Sequence, residues 1–338
     1  MLAQILILIS IVNGREILPD SNGEYHIDVK LNKNEFNFLW LGDWGGWPAP
    51  VYNTPIQLLV AKSMERTAKQ WQPEFIYGIG DNFYFWGVTD IYDVMWTKTY
   101  ENVYRSDELQ VPWYLTTGNH DWDDGNGTAQ LAYSSISERW TYPAFHYTID
   151  YELADGTSVR IITIDTPLLT GISTGKNDDP NGSPADQNYA NWAWDWIART
   201  MASSGEYDYL FVTGHYQTMD IRGHYNAALV GKLLPLMKEH GVSAYIQGHR
   251  HTMEHLQEKG FTNNADVHFF TIGCGSLVNW SAGGLPECNE VCLLLFTTNT
   301  QVTLILRTKL LVTTSGGVTI TTAHTHTLLF QKMPQNSL

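Results

Sequence analysis

Positive charge is scarce in this sequence of 338 residues. Its 20 lysines and arginines face 35 aspartates and glutamates, which gives a net charge of −15 with histidine neutral. Proteins that bind nucleic acid need clustered basic residues along the phosphate backbone, so this composition argues against that role. A small phosphorylated substrate is not excluded, because metal ions can supply positive charge that side chains do not.

Long hydrophobic runs are also missing. No segment approaches the ~18 uninterrupted apolar residues of a membrane-spanning helix, so no membrane span is expected. The apolar run from Leu2 to Val12 is shorter and has the length of a signal-peptide core. We therefore predict a signal peptide over residues 1–14, with a buried N-terminal strand as the alternative.

Cysteine is rare, with three residues at Cys274, Cys288 and Cys292. In an oxidising compartment this count predicts one disulfide and one free thiol, and the sequence leaves the pairing open. Three N-glycosylation triplets begin at Asn126, Asn181 and Asn279. Together with the signal peptide, they predict a secreted or lysosomal glycoprotein, which we expect to be monomeric.

Short apolar runs recur along the chain, and most lead into glycine and then polar residues. They read as buried strands near residues 35–41, 75–79, 111–115, 160–164, 207–212, 244–247 and 267–272. Helical spacing follows Thr54-Pro55 and Asp186 and precedes Gly241. Alternating strands and helices predict an α/β fold with a single domain over residues 15–338. Within it, residues 167–184 read as an exposed loop, and the strand-rich segment 285–338 reads as hairpins packed on the sheet.

Polar residues stand at or just after the ends of these predicted strands, where open α/β sheets bind ligands. The set is Asp43, Asp81, Tyr84, Asn119, His120, His215, His249 and His251. Carboxylate, amide and imidazole groups are metal ligands, and one bridging carboxylate could hold two ions ~3.5–4 Å apart. Each residue alone is a weak signal, since most Gly-Asp pairs are turns and most single histidines are structural.

Read in order, these residues form five blocks. The blocks are Gly42-Asp43-Trp44-Gly45, Gly80-Asp81-Asn82-Phe83-Tyr84, Gly118-Asn119-His120-Asp121, Val212-Thr213-Gly214-His215 and Gly248-His249-Arg250-His251. This ordered set resembles the signature of the purple acid phosphatases, and most of all their small tartrate-resistant type. The resemblance spans roughly residues 36–280 and implies a metallophosphoesterase β-sandwich flanked by helices, a four-layer αββα fold.

The resemblance also implies a role for each site residue. Asp43, Tyr84 and His251 are expected to bind Fe(III), while Asn119, His215 and His249 bind a divalent Fe, Zn or Mn ion. Asp81 is expected to bridge the two ions. His120 and His224 are expected to contact the phosphate outside the metal shell, and His255 is expected to be a structural neighbour.

The implied activity is that of an acid phosphatase acting on small phosphomonoesters or phosphoproteins. The two ions bind the phosphate and activate a hydroxide for attack on phosphorus, and a histidine acid protonates the leaving group. Two alternatives remain open. One is a dimetal phosphodiesterase or pyrophosphatase on the same scaffold, and the other is an iron carrier with incidental turnover.

Overall fold

The computed structural model describes residues 10–12, 15–123, 125–172, 184–220, 223, 225–262, 265–277, 294–298, 302–306, 313–314 and 317–318. The strands are β1 Ser10–Val12, β2 Arg15–Ile17, β3 Tyr25–Lys30, β4 Phe38–Leu41, β5 Phe75–Ile79, β6 Trp113–Thr116, β7 Trp140–Thr141, β8 Tyr147–Glu152, β9 Ser158–Thr163, β10 Tyr209–Thr213, β11 Ala244–Gln247, β12 Met253–Thr262, β13 Ala265–Ile272, β14 Leu294–Thr298, β15 Val302–Leu306, β16 Thr313–Thr314 and β17 Gly317–Val318. The α-helices are α1 Pro55–Trp71, α2 Gly127–Tyr133, α3 Thr166–Thr170, α4 Gln187–Ala202 and α5 Leu234–Glu239. Wider helical turns span Trp96–Glu101 and Leu229–Leu233, and tighter ones span Asp107–Leu109 and Asn119–Asp121.

Two mixed sheets form the centre of the molecule. One has six strands in the order β15-β14-β4-β5-β6-β7, and the other has seven in the order β12-β13-β11-β10-β9-β8-β3. Strands β4 to β7 run parallel, as do β9, β10, β11 and β13. Because parallel strands end at the same sheet edge, the loops that follow them are brought together.

Alternating side chains of β10 show how the layers are stacked. Tyr209 and Phe211 belong to the core cluster shared with the six-stranded sheet, and the Phe211 ring lies 6.1 Å from that of Trp40. Leu210 and Val212 belong to a second cluster that includes residues of α4. Since successive side chains of a strand point to opposite faces, the sheets pack face to face with helices outside. The predicted four-layer fold is confirmed.

Predicted helix starts are confirmed by their capping contacts. Thr54 directly precedes Pro55, the first residue of α1, and its Oγ1 accepts a hydrogen bond from the Gln57 amide at 3.0 Å. The Asp186 carboxylate accepts from the first turn of α4. Such caps satisfy amides that have no partner inside the helix, and each stabilises its helix by about 1 kcal/mol. At the other end of a helix, Gly241 follows α5 with a φ of +70°.

The expected loop at residues 167–184 is partly wrong. Its first residues belong to α3, where Asp165 Oδ1 accepts from the Leu168 amide at 3.0 Å and Leu169 is buried. The sequence signal was weak because this helix has a single turn, too short for any periodicity. Residues 173–183 lie outside the described residues.

The carboxy-terminal strands join the first sheet. Strand β14 pairs antiparallel with both β4 and β15, as the predicted hairpin requires. Cys274 is disulfide-bonded, while Cys288 and Cys292 lie outside the described residues. Strand β1 pairs with β2, but most of residues 1–14 lie outside the described part, so the signal peptide stays a prediction. Among the described residues, no helix has both the length and the apolar character to cross a membrane.

Candidate metal centre

Seven of the eight polar residues expected after strand ends converge on one buried cluster. Asp43, Asp81 and Asn119 follow β4, β5 and β6 of the first sheet. His215 follows β10 of the second sheet, and His249 and His251 follow β11. These residues and Tyr84 are all buried except His251, whose side chain is 20% exposed. The structure thus brings together every residue that the resemblance assigned to metal binding.

Three of these residues hold a backbone conformation that L-amino acids avoid. The φ angles of Asp43, Asp81 and His249 are +55°, +49° and +67°. Each such residue costs about 1–3 kcal/mol and persists only where surrounding contacts enforce it. Gly118 permits a similar close approach, since a Cβ there would lie 2.2 Å from Asp81 Oδ1. These strained backbone positions carry the side chains that point into the cluster.

One half of the cluster consists of Asp43, Tyr84 and His251 around one side of Asp81. The Tyr84 hydroxyl lies 3.2 Å from Asp43 Oδ1, 3.1 Å from Asp81 Oδ2 and 2.8 Å from His251 Nε2. His251 Nε2 is also 3.4 Å from Asp43 Oδ1. We call these residues the tyrosine half.

The other half consists of Asn119, His215 and His249 around the opposite side of Asp81. Asn119 Oδ1 lies 3.1 Å from His215 Nε2 and 2.9 Å from His249 Nδ1. His215 Nε2 is 3.3 Å from Asp81 Oδ1. We call these residues the histidine half.

Asp81 therefore belongs to both halves, with Oδ2 facing one and Oδ1 facing the other. Ligand atoms of Asp43, Asp81 and His251 lie within 4.8 Å of one another, and so do those of Asp81, His215 and His249. Imidazole, carboxylate, amide and phenol groups at this density are suited to transition metals. The residues present fit two ions that share the Asp81 carboxylate.

The electrostatics of the cluster are those of buried charge. Burial raises the pKa of Asp43. Burial also opposes ionisation of Asp81, but the imidazoles of His215, His120 and His249 outweigh it and lower the pKa of Asp81 to about 2. Burial and the two carboxylates raise the pKa of Tyr84 well above that of a free phenol. Without a cation the site resists a tyrosinate, so a bound metal ion would have to stabilise one.

Contacts behind the ligands fix their orientation. His215 Nδ1 donates to the Ile79 carbonyl at 2.9 Å, which leaves its Nε2 as the metal-binding nitrogen. The His249 amide donates to Asp43 Oδ2 at 2.9 Å, so the two halves are linked directly. Trp44, next to Asp43, is fully buried among aromatic rings, including that of Trp113 at 5.5 Å. This packing anchors the loop that carries Asp43.

His120 lies beside the cluster rather than inside it. Its amide donates to Asp81 Oδ1 at 3.0 Å, and its Nδ1 donates to the Phe85 carbonyl at 2.8 Å. No hydrogen bond within the described part of the chain involves its Nε2. Burial alone would lower the pKa of His120, but the charge of Asp81, the hydrogen bond to the Phe85 carbonyl and the charges of Asp121 and Asp43 together outweigh burial and raise that pKa. This placement agrees with a residue that contacts substrate instead of metal.

Sequence reasoning missed the role of Asp121. Its carboxylate accepts from the amides of Asn82 and Gly118 at 3.1 and 2.8 Å, and from Gln130 Nε2 at 2.8 Å. Burial raises the pKa of Asp121 to about 7. Asp121 thus ties the loop after β5 to the loop after β6, and its presence in the third block was the only sequence signal.

The two remaining histidines of the sequence analysis, His255 and His224, have different outcomes. His255 contributes to a strand, where its Nε2 lies 2.9 Å from His268 Nδ1, so its structural role is supported. His224 lies outside the described residues, and its role stays a prediction. Of the three glycosylation triplets, Asn126 is exposed, and Asn181 and Asn279 lie outside the described residues.

Comparison with known proteins agrees with this geometry. A family model described as calcineurin-like phosphoesterase matches residues 36–253. The human tartrate-resistant acid phosphatase type 5 is 38% identical over 245 residues, which cover 72% of this chain and 73% of the relative.

Solved structures support the fold. The Plasmodium protein GAP50, described as the anchor in the inner membrane complex, has a TM-score of 0.65 at 24% identity and covers 90% of this chain and 91% of its own. A purple acid phosphatase from yellow lupin seeds has a TM-score of 0.56 at 16% identity, with 90% of this chain and 57% of the lupin chain covered. The predicted resemblance is confirmed by the family model, by the human relative and by a purple acid phosphatase of Arabidopsis thaliana that is 29% identical over 265 residues. This chain belongs to the calcineurin-like phosphoesterase family and, within it, groups with the purple and tartrate-resistant acid phosphatases.

Proposed function

We propose that the protein is a secreted or lysosomal acid phosphatase that hydrolyses phosphate monoesters at a dinuclear Fe(III)–M(II) centre. The observation that carries the proposal is the single carboxylate of Asp81, shared by two halves of which only one contains a phenol. M(II) is iron, zinc or manganese. Related acid phosphatases and the family match support the same reaction class.

The metal assignment follows from the chemistry of the donors. Phenolate is a hard, electron-rich oxygen donor that favours ferric iron, and Tyr84 stands beside two carboxylates in the tyrosine half. The histidine half offers only amide and imidazole groups besides Asp81, a set that suits a divalent ion. When bound, the ion pair neutralises phosphate charge and lowers the pKa of water.

The residues of the chain then have distinct tasks. Asp81 and the loops around it set the spacing of the site. His120 Nδ1 donates its hydrogen bond to the Phe85 carbonyl. Its Nε2 can therefore donate a proton to a phosphate oxygen or to the departing alkoxide oxygen. Proton donation of this kind contributes roughly 10²–10⁴-fold to the rate. His224 is proposed as a second contact to the phosphate.

Three features support the secreted or lysosomal setting. Cys274 is disulfide-bonded, and disulfides persist mainly in oxidising compartments. The sequence begins with an apolar run of signal-peptide length. Asn126 is exposed and can accept a glycan.

The proposal is tested by metal analysis and visible absorption of protein produced in a secretory host. We expect about two metal ions per chain, a phenolate-to-iron charge-transfer band, and turnover of an aryl phosphate at acid pH in the presence of tartrate. Tyr84→Phe should abolish the band while protein folding persists. Faster hydrolysis of diesters or pyrophosphate than of monoesters would replace this proposal with a diesterase or pyrophosphatase, and bound iron without turnover would favour a carrier.

A further inference from the structure

Two tryptophans beside the metal centre remain exposed to solvent. Trp47 is 39% exposed and Trp86 is 54% exposed. Both contact Phe85, whose ring centroid lies 4.9 Å from that of Trp47 and 6.2 Å from that of Trp86. We call Trp47, Phe85 and Trp86 the aromatic rim. Contiguous exposed apolar patches of this kind often mark a binding site.

The aromatic rim adjoins the group proposed to contact phosphate. The Phe85 ring lies 5.5 Å from the His120 ring, and the Phe85 carbonyl accepts from His120 Nδ1 at 2.8 Å. On its other side, His120 faces the ring of Tyr84 at 4.9 Å. An unbroken series of ring contacts therefore runs from the tyrosine half, through His120, to the two exposed indoles.

The backbone holds the aromatic rim in place. The Trp47 amide donates to the Tyr52 carbonyl at 3.1 Å, and the Gly87 amide donates to the Phe83 carbonyl at 3.1 Å. A Cβ at Gly87 would lie 2.7 Å from the Asp121 carbonyl oxygen, so this turn packs closely on the loop after β6. Because the rim is already ordered, a ligand that binds it does not bear the cost of arranging it.

The direction of the substrate follows from these contacts. If the phosphate lies on the metal pair and against His120, its leaving group extends past His120 toward solvent. The aromatic rim adjoins His120 through the Phe85 ring and offers ring faces and edges but no charge. We propose that Trp47, Phe85 and Trp86 select phosphate monoesters whose leaving group is a planar aromatic ring. This inference rests on the proposed phosphatase function.

The test compares kcat/KM for naphthyl phosphate and for glycerol 2-phosphate in wild type, Trp47→Ala, Trp86→Ala and the double variant. Each single change should lower kcat/KM for the aryl ester about threefold to tenfold, the size of one aromatic contact. Glycerol phosphate hydrolysis should change less than about twofold, because its leaving group offers no ring to stack. Trp86→Phe should restore most of the loss.

Trp192→Ala is the matched control. Trp192 is 42% exposed, yet it lies on α4, and its ring contacts are with Tyr189 of the same helix and with the buried His146. Its removal should leave both substrates unaffected. Equal losses on the two esters in the rim variants, or no loss on either, would overturn the inference while leaving the phosphatase function intact. A wild-type protein that hydrolyses neither ester would instead overturn the proposed function.

Calorimetric binding gives a readout that does not depend on turnover. Wild type should bind phenylphosphonate more tightly than methylphosphonate, and the double variant should lose that preference. Retention of the preference in the double variant would place the aromatic contact elsewhere and overturn the inference.

Discussion

The two halves of the metal centre share one carboxylate but differ in charge and in contact with solvent. The tyrosine half adds the Asp43 carboxylate, a phenol and His251, which is 20% exposed. The histidine half adds only amide and imidazole donors, and His215 within it is fully buried. A single shared residue therefore separates a half with a second carboxylate and a phenol from a half that has neither.

For the proposed mixed-metal centre, this difference suits the two halves to different ions. An ion of higher charge gains more from anionic oxygen donors, while imidazole and amide groups suit a divalent ion. We place the selectivity in the donor types, because both halves bring their ligand atoms close together and differ in the groups they offer. Changing a shared group should affect both halves, and changing a flanking group should not.

Asp81→Ala should have the largest effect, because it removes the carboxylate that both halves use. We expect loss of both metal ions and of measurable turnover, read by metal analysis after desalting and by an aryl phosphate assay. Asp123→Ala, which alters an exposed carboxylate in a nearby loop, serves as the control. Full activity in Asp81→Ala would contradict the shared-ligand geometry.

His120→Ala should lower kcat by roughly 10²–10⁴-fold, the usual contribution of a general acid. Both metal ions and the visible band should remain, since His120 contacts the halves only through its backbone amide and ring packing. His255→Ala is a suitable control, because that side chain pairs with His268 instead. Loss of a metal ion from His120→Ala would mean that His120 is a ligand and not a substrate contact.

Asp121→Asn should have an intermediate effect. The asparagine side chain keeps the shape of aspartate but replaces one acceptor oxygen with an NH₂ donor. The groups around it, from Gly118, Asn82 and Gln130, are all donors, so hydrogen bonds are lost. We expect metal affinity to fall about 10–100-fold, as for other residues that orient ligands. Titration of the metal-free protein with a divalent ion would measure this affinity. We expect both halves to bind the ion more weakly. An effect confined to one half would contradict a carboxylate that ties both loops together.

The convergence of the candidate ligands could be predicted from sequence because these residues follow buried strands in distinctive local patterns. The supporting contacts could not, since Asp121 binds backbone amides that any residue type would supply. Exposure of Trp47 and Trp86 was equally hidden, because an aromatic residue in a sequence reads as core. The short helix α3 also escaped notice, as its stability comes from one cap and buried neighbours and not from a periodic pattern.

A buried histidine outside the centre sharpens the comparison. The histidines of the metal centre lie beside carboxylates, whereas His146 contacts the Tyr189 hydroxyl at 2.9 Å and its buried Nε2 has no partner in the described structure. Burial lowers the pKa of His146 to about 3. Buried imidazole is therefore tolerated here only in its neutral form.

The sign of the pH effect follows from that shift. Above pH ~6.5, His146 is neutral in both the folded and the unfolded chain and does not affect stability. As the pH falls below that value, His146 becomes protonated in the unfolded chain but stays neutral in the folded protein. The free energy of unfolding therefore decreases. The loss from pH 8 to pH 5 is about 2 kcal/mol. His146→Gln should remove this part of the pH dependence, as measured by urea unfolding at the two pH values. An unchanged pH dependence would contradict this, because it would mean that His146 takes up its proton as readily in the folded protein as in the unfolded chain.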